Sequence, residues 1–153
     1  MGVMRINLES GEFPENQSFT AWVFVEEDGA LYGISQNNNG TKTRRGYLVG
    51  VLINHGKKCD IAFHELFNNP GKAPLLYVVT NIGKRMKRGT WSEFNDFGDY
   101  REKGKVKISI EEETSMTQSQ IEAMWDDIDM EVNSNMEHMA RSYECRAKLT
   151  RAH

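Results

Sequence analysis

The feature that most constrains this chain is the spacing of its turn signals. Through the first two thirds, short apolar or alternating segments are interrupted about every 8–12 residues by clusters of Gly, Pro, Asn and Asp, the pattern of a barrel or strongly curved sheet. Val3–Leu8 alternates, with Met4, Ile6 and Leu8 on one face. Ser10 to Ser18, with Gly11 and Pro14, reads as a loop. Phe19–Glu26 is apolar on both faces, as in a central strand, and Glu27-Asp28-Gly29 predicts a hairpin with a type I′ turn. Ala30–Ser35 returns, and Gln36–Gly40, with three consecutive Asn, reads as another loop. Gly46–Asn54 and Cys59–Phe67 form a second hairpin around His55-Gly56-Lys57-Lys58. Leu75–Thr80 is a short apolar strand, Asn81–Gly83 turns into Lys84–Trp91, and Ser92–Tyr100 has no clear period. Lys105–Glu111 points Val106, Ile108 and Ile110 one way and Lys105, Lys107, Ser109 and Glu111 the other, a half-exposed strand.

After Gly104 the character changes, because no Gly or Pro follows. Thr117 and Gln120 have the spacing of a capping box. Apolar residues then recur at 121, 124, 125, 128, 132, 136, 139, 140 and 143, in steps that suit a 3.6-residue period. Acids near the start and bases near the end complement the helix dipole. A helix of roughly 30 residues here would span about 45 Å at ~1.5 Å per residue. The expected architecture is therefore α+β. A strongly curved antiparallel sheet or small β-barrel (1–113) is followed by one long C-terminal helix (117–150), in a single domain over 1–153.

The 153 residues suffice for a core without staples. No apolar run approaches the roughly 20 residues of a spanning helix. No signal-peptide pattern is seen, and Ile6 spoils a myristoylation reading of Gly2. A cytoplasmic protein without membrane contact is expected, with Cys59 and Cys145 reduced.

Net charge is -3, but it is segregated. Residues 1–40 sum to -5, 41–90 to +8, 91–140 to -9 and 141–153 to +3, which returns the total of -3. The basic block is interleaved with aromatics. Arg44 and Arg45 precede Tyr47, Lys57 and Lys58 sit in a turn, and Lys84, Arg85, Lys87 and Arg88 precede Trp91. Cations that follow phosphates, beside flat side chains that stack on bases, are what single-stranded nucleic acid requires. Tyr47 and Trp91 are the candidate platforms, while Trp22 and Tyr77 lie within apolar strands and are assigned to the core.

Met124, Trp125, Met136 and Met139 give the C-terminal helix an adaptable apolar stripe. The stripe suits packing on the β-body, a protein partner or a homodimer. The acidic stretches 91–102 and 111–131 could engage a basic partner, and alternating charge blocks could serve head-to-tail self-association.

Other chemistry finds little footing. His55, Cys59 and His64 lack paired ligand spacing for zinc, and on a strand Cys59 and His64 face opposite ways. Asp126, Asp127 and Asp129, with Glu111–Glu113, and the loop acids Glu93, Asp96 and Asp99, match no cation-loop pattern. No nucleophile elbow or phosphate loop is present. The expectation is a non-enzymatic module without metal or cofactor. It would bind single-stranded nucleic acid or another polyanion through a basic, aromatic β-surface. The alternative is a small interaction or inhibitor protein acting through acidic blocks and the Met-rich helix.

Overall fold

A computed structural model of the chain describes residues 2–9, 18–39, 42–67, 75–94, 100–127, 146 and 149. Eight strands run in sequence order: β1 (Gly2–Glu9), β2 (Phe19–Val25), β3 (Ala30–Asn39), β4 (Lys42–His55), β5 (Lys58–Phe67), β6 (Leu75–Ile82), β7 (Lys87–Phe94) and β8 (Tyr100–Glu112). Each pairs antiparallel with the next, and β8 pairs with β1, closing a barrel. One helix, α1 (Gln118–Asp127), follows.

The inward positions carry the core. Ile6 and Leu8 of β1, Phe19, Ala21 and Val23 of β2, Ile61 and Phe63 of β5, Tyr77 and Val79 of β6, and Val106 and Ile108 of β8 are all buried in one cluster. Phe63 stacks on Tyr77 with ring centres 5.0 Å apart, and Phe19 meets the Tyr77 ring edge-on at 5.8 Å. Offset stacks and edge contacts are the arrangements that the ring quadrupole favours. Gly50 faces inward where the wall bends tightly, since a Cβ there would lie 2.1 Å from the Ala62 carbonyl oxygen. A side chain at this position would force β4 and β5 apart.

Several expectations are met and several corrected. The barrel is closed, and the alternation at Val3–Leu8 and Lys105–Glu111 gives β1 and β8 as read. The Gln36–Gly40 loop is corrected: β3 continues to Asn39, pairing Asn37 with Arg44, Asn38 with Thr43 and Asn39 with Lys42. The long partner strand supplies the ladder that Asn's weak β-propensity would not. The type I′ turn is corrected too. The Gly29 amide donates to the Glu26 carbonyl and only Gly29 has positive φ (92°), so the connection has three residues. Asp28 Oδ1 accepts the Ala30 amide and fixes that turn.

The capping box forms as read. Thr117 Oγ1 accepts the Gln120 amide at 3.2 Å, and Gln120 Oε1 accepts the Thr117 amide at 2.8 Å. Ile121 is fully buried where α1 lies against β2 and β3, and the Tyr32 hydroxyl donates to Glu122 while accepting from Gln118. The described helix has ten residues, so most of the long helix expected over 117–150 lies outside the described residues. Arg146 and Leu149 are helical; Leu149 is buried with Val51, Ala62 and Leu76 on the outer surface of β4–β6. No helix among the described residues is long and apolar enough to cross a membrane.

Candidate polyanion-binding surface

Four corners form the described end of the barrel: the β2–β3, β4–β5 and β6–β7 turns, and the place where β8 ends beside the start of β1. Two of them are basic. The β4–β5 hairpin pairs His55 with Lys58 across a two-residue loop, which leaves Lys57 and Lys58 exposed. The β5–β6 ladder pairs Cys59 with Ile82, so this corner adjoins the β6–β7 turn with its exposed Lys84, Arg85, Lys87 and Arg88.

A β-bulge aims the second turn. Register shifts between Cys59 and Ile61, and Asn81 takes up a left-handed conformation at φ 57°. Asp60, 1% exposed, holds the bulge. Its Oδ1 accepts the Asn81 amide at 2.7 Å and lies 2.9 Å from His55 Nε2. A buried carboxylate on β5 therefore links the base of one basic corner to the base of the other.

The cations continue down the wall. Register places Arg88 opposite Lys107 and Thr90 opposite Lys105, all pointing outward between β7 and β8. Like charges directly opposite on neighbouring strands are destabilising. Among the described residues the ion pairs within 4 Å are Arg5–Glu111, Arg5–Glu113 and His55–Asp60. None involves Lys57, Lys58, Lys84, Arg85, Lys87, Arg88, Lys105 or Lys107. Among the described residues, no flanking acid lies within ion-pair distance of these cations.

Lys105 and Lys107 were missed as binding candidates because they lie in the acidic block 91–140. Their period of two already placed them on one face, but only the strand register reveals their basic neighbours.

The expected aromatic platforms are corrected. Trp91 points into the core at 5% exposure, and Tyr47 is buried at 3% on the outer side of β4. Neither presents a ring face to a base. Tyr77 is core as expected, whereas Trp22 points outward and is half-buried. Arg44 and Arg45 are separated from the other cations. They pair with Asn37 and Gln36 toward the opposite end of the barrel, and their side chains lie outside the described residues. Of the expected partner stripe, Met124 is half-buried on α1, while Met136, Met139 and the Trp125 side chain lie outside the described residues.

A second polar cluster went unread in the sequence. Glu65 faces the barrel interior, 2% exposed; Ser35 Oγ donates to its Oε2 at 2.7 Å and the Tyr77 hydroxyl to its Oε1 at 3.0 Å. Gly46 makes room for it, since a Cβ there would lie 2.9 Å from Ser35 Oγ and 3.3 Å from Glu65 Cγ. The cue was a carboxylate sharing the parity of Cys59, Ile61 and Phe63 on β5. Hydrogen bonds to both oxygens hold this carboxyl in place.

Cys59 and His64 do face opposite ways. Cys59 is half-buried toward the core, and burial, then the nearby Asp60 charge, push its thiol pKa up, away from reactive thiolate. His64 is fully buried on the outer side of β5. No group of three His, Cys, Asp or Glu side chains suited to a metal occurs among the described residues. Comparison with protein-family models, with curated proteins and with solved structures gave no match.

Proposed function

We propose that the chain is a non-enzymatic module that binds a polyanion, single-stranded nucleic acid first among them, along its basic corners and the β7–β8 wall. The observation that carries this reading is a continuous set of exposed cations outside the ion pairs of the described residues. Such a set favours a ligand whose charges repeat, because each phosphate contact releases condensed counterions. With Tyr47 and Trp91 buried, binding runs through the backbone and is indifferent to base identity.

The test is anisotropy of labelled single-stranded DNA and RNA at low and moderate salt. Affinity should fall steeply with salt, by about 0.7 of a log unit per phosphate contact for each log unit of salt. Charge reversal of Lys84, Arg85, Lys87 and Arg88 should abolish binding, and reversal of Lys105 and Lys107 should flatten the salt slope. An affinity indifferent to salt would refute the proposal.

The acidic corners support the second reading, a small interaction or inhibitor protein for a basic partner. Glu26, Glu27 and Asp28 on the β2–β3 turn, with Glu111 and Glu112, are exposed at the same barrel end. Failure to bind polyanions even at low salt would favour it, with a pull-down on the full chain as the next step.

A further inference from the structure

Around the described end of the barrel, the four corners carry charge in an ordered way. The β8 end offers Glu111, Glu112 and Glu113, and the neighbouring β2–β3 turn offers Glu26, Glu27 and Asp28. Next comes the β4–β5 turn with Lys57 and Lys58, then the β6–β7 turn with Lys84, Arg85, Lys87 and Arg88. The two acidic corners are adjacent and the two basic corners are adjacent, so one half of the rim is acidic and the other half basic. Arg5, paired with Glu111 and Glu113, and Arg146, which donates to the Asp28 carbonyl oxygen at 3.2 Å, partly offset the acidic half, leaving Glu26, Glu27 and Glu112 outside the ion pairs of the described residues.

We infer that this barrel end is a self-complementary face on which a second copy of the chain docks. A two-fold axis along the divide between the halves lays the acidic half of one copy over the basic half of the other, twice. That is an isologous interface, which closes as a dimer. The two complementary charges lie on the same end, which is what an isologous face requires. Met86, 39% exposed at the β6–β7 turn, is the exposed large apolar side chain among the described residues and supplies an apolar contact within the basic half. An interface built mainly on rim charge is weak and salt-sensitive. It competes with polyanion binding for the same cations but does not depend on that reading.

The test is sedimentation velocity of the full chain over a concentration series at low and high salt, with two variants. One carries Lys84→Glu, Arg85→Glu, Lys87→Glu and Arg88→Glu, leaving Lys57 and Lys58 as the basic residues of a predominantly acidic rim. The other carries Glu26→Lys, Glu27→Lys and Glu112→Lys, making the rim predominantly basic. The wild-type chain should dimerise at low salt and dissociate at high salt. Each variant alone should lose affinity for itself by about tenfold or more. An equimolar mixture of the two should form a heterodimer, which also demonstrates that both variants fold. The basic variant should still bind polyanion if the proposed function holds, which separates the two ideas. A wild-type chain that stays monomeric at low salt, a mixture that forms no heterodimer, or variants that dimerise unchanged would each overturn the inference.

Discussion

On the outer surface of β4, β5 and β6, Tyr47, Val49, Val51, Ala62, His64, Leu66 and Leu76 are all buried. On the outer surface of β7, β8 and β1, the residues at equivalent outward positions include Arg88, Lys105 and Lys107, which are exposed, and Thr90, Ser109 and Asn7, which are half-buried. The pleat and the period are the same in both. The difference lies in what occupies alternate positions and in what lies over them. Leu149 sits on Val51, Ala62 and Leu76, so that wall has protein on both sides and is apolar on both. Among the described residues the other wall has protein on one side, and it alternates. A strand that is apolar on both faces reports a covering layer, not only a central place in the sheet.

The hardest test of this difference is a charge placed on each wall. Val51→Asp should cost at least about 3 kcal/mol, because it leaves an unpaired carboxylate in a dry interface, while Lys105→Asp should stay within about 0.5 kcal/mol. Urea unfolding midpoints of the two variants measure it, and equal shifts would erase the distinction. Leu149→Ala should cost about 2–5 kcal/mol if the C-terminal segment is a true second layer. A negligible change in thermal stability would mean that the segment merely rests there. Asp60→Ala, at the turn end of the covered wall, should cost about 1–3 kcal/mol by orphaning the Asn81 amide. It should also weaken polyanion binding by releasing the β6–β7 turn, and calorimetry with anisotropy on one preparation reads both. The smallest effect has the opposite sign. Arg88→Thr removes the like-charge pairing with Lys107 and should raise stability by a few tenths of a kcal/mol, a gain that disappears in high salt.

The alternating wall was the legible one. Val3–Leu8 and Lys105–Glu111 announced β1 and β8 directly, and the Thr117–Gln120 capping box announced α1. The doubly apolar strands were also found, but not which of their faces looked inward. That uncertainty put Tyr47 and Trp91 forward as binding platforms when both are buried. Parity within a strand is local, whereas which side is covered depends on residues a hundred positions away. The cations were legible as a block and not as a surface. Register detached Arg44 and Arg45 from the group and attached Lys105 and Lys107, a choice made by hydrogen bonds between strands that composition does not encode.

Closure of the barrel leaves one seam. Every other ladder joins strands consecutive along the chain, while β1 and β8 pair Met4 with Glu112 and Ile6 with Ile110. Seven of the eight ladders can thus be added hairpin by hairpin, each closing a short loop, whereas the eighth must bring together segments over a hundred residues apart. Until it does, β1 and β8 each present an unpaired edge, the template on which strands of other molecules assemble. Arg5, bonded across that seam to Glu111 and Glu113, puts charge on the edge that stays open longest, where it opposes aggregation as well as favouring the native partner.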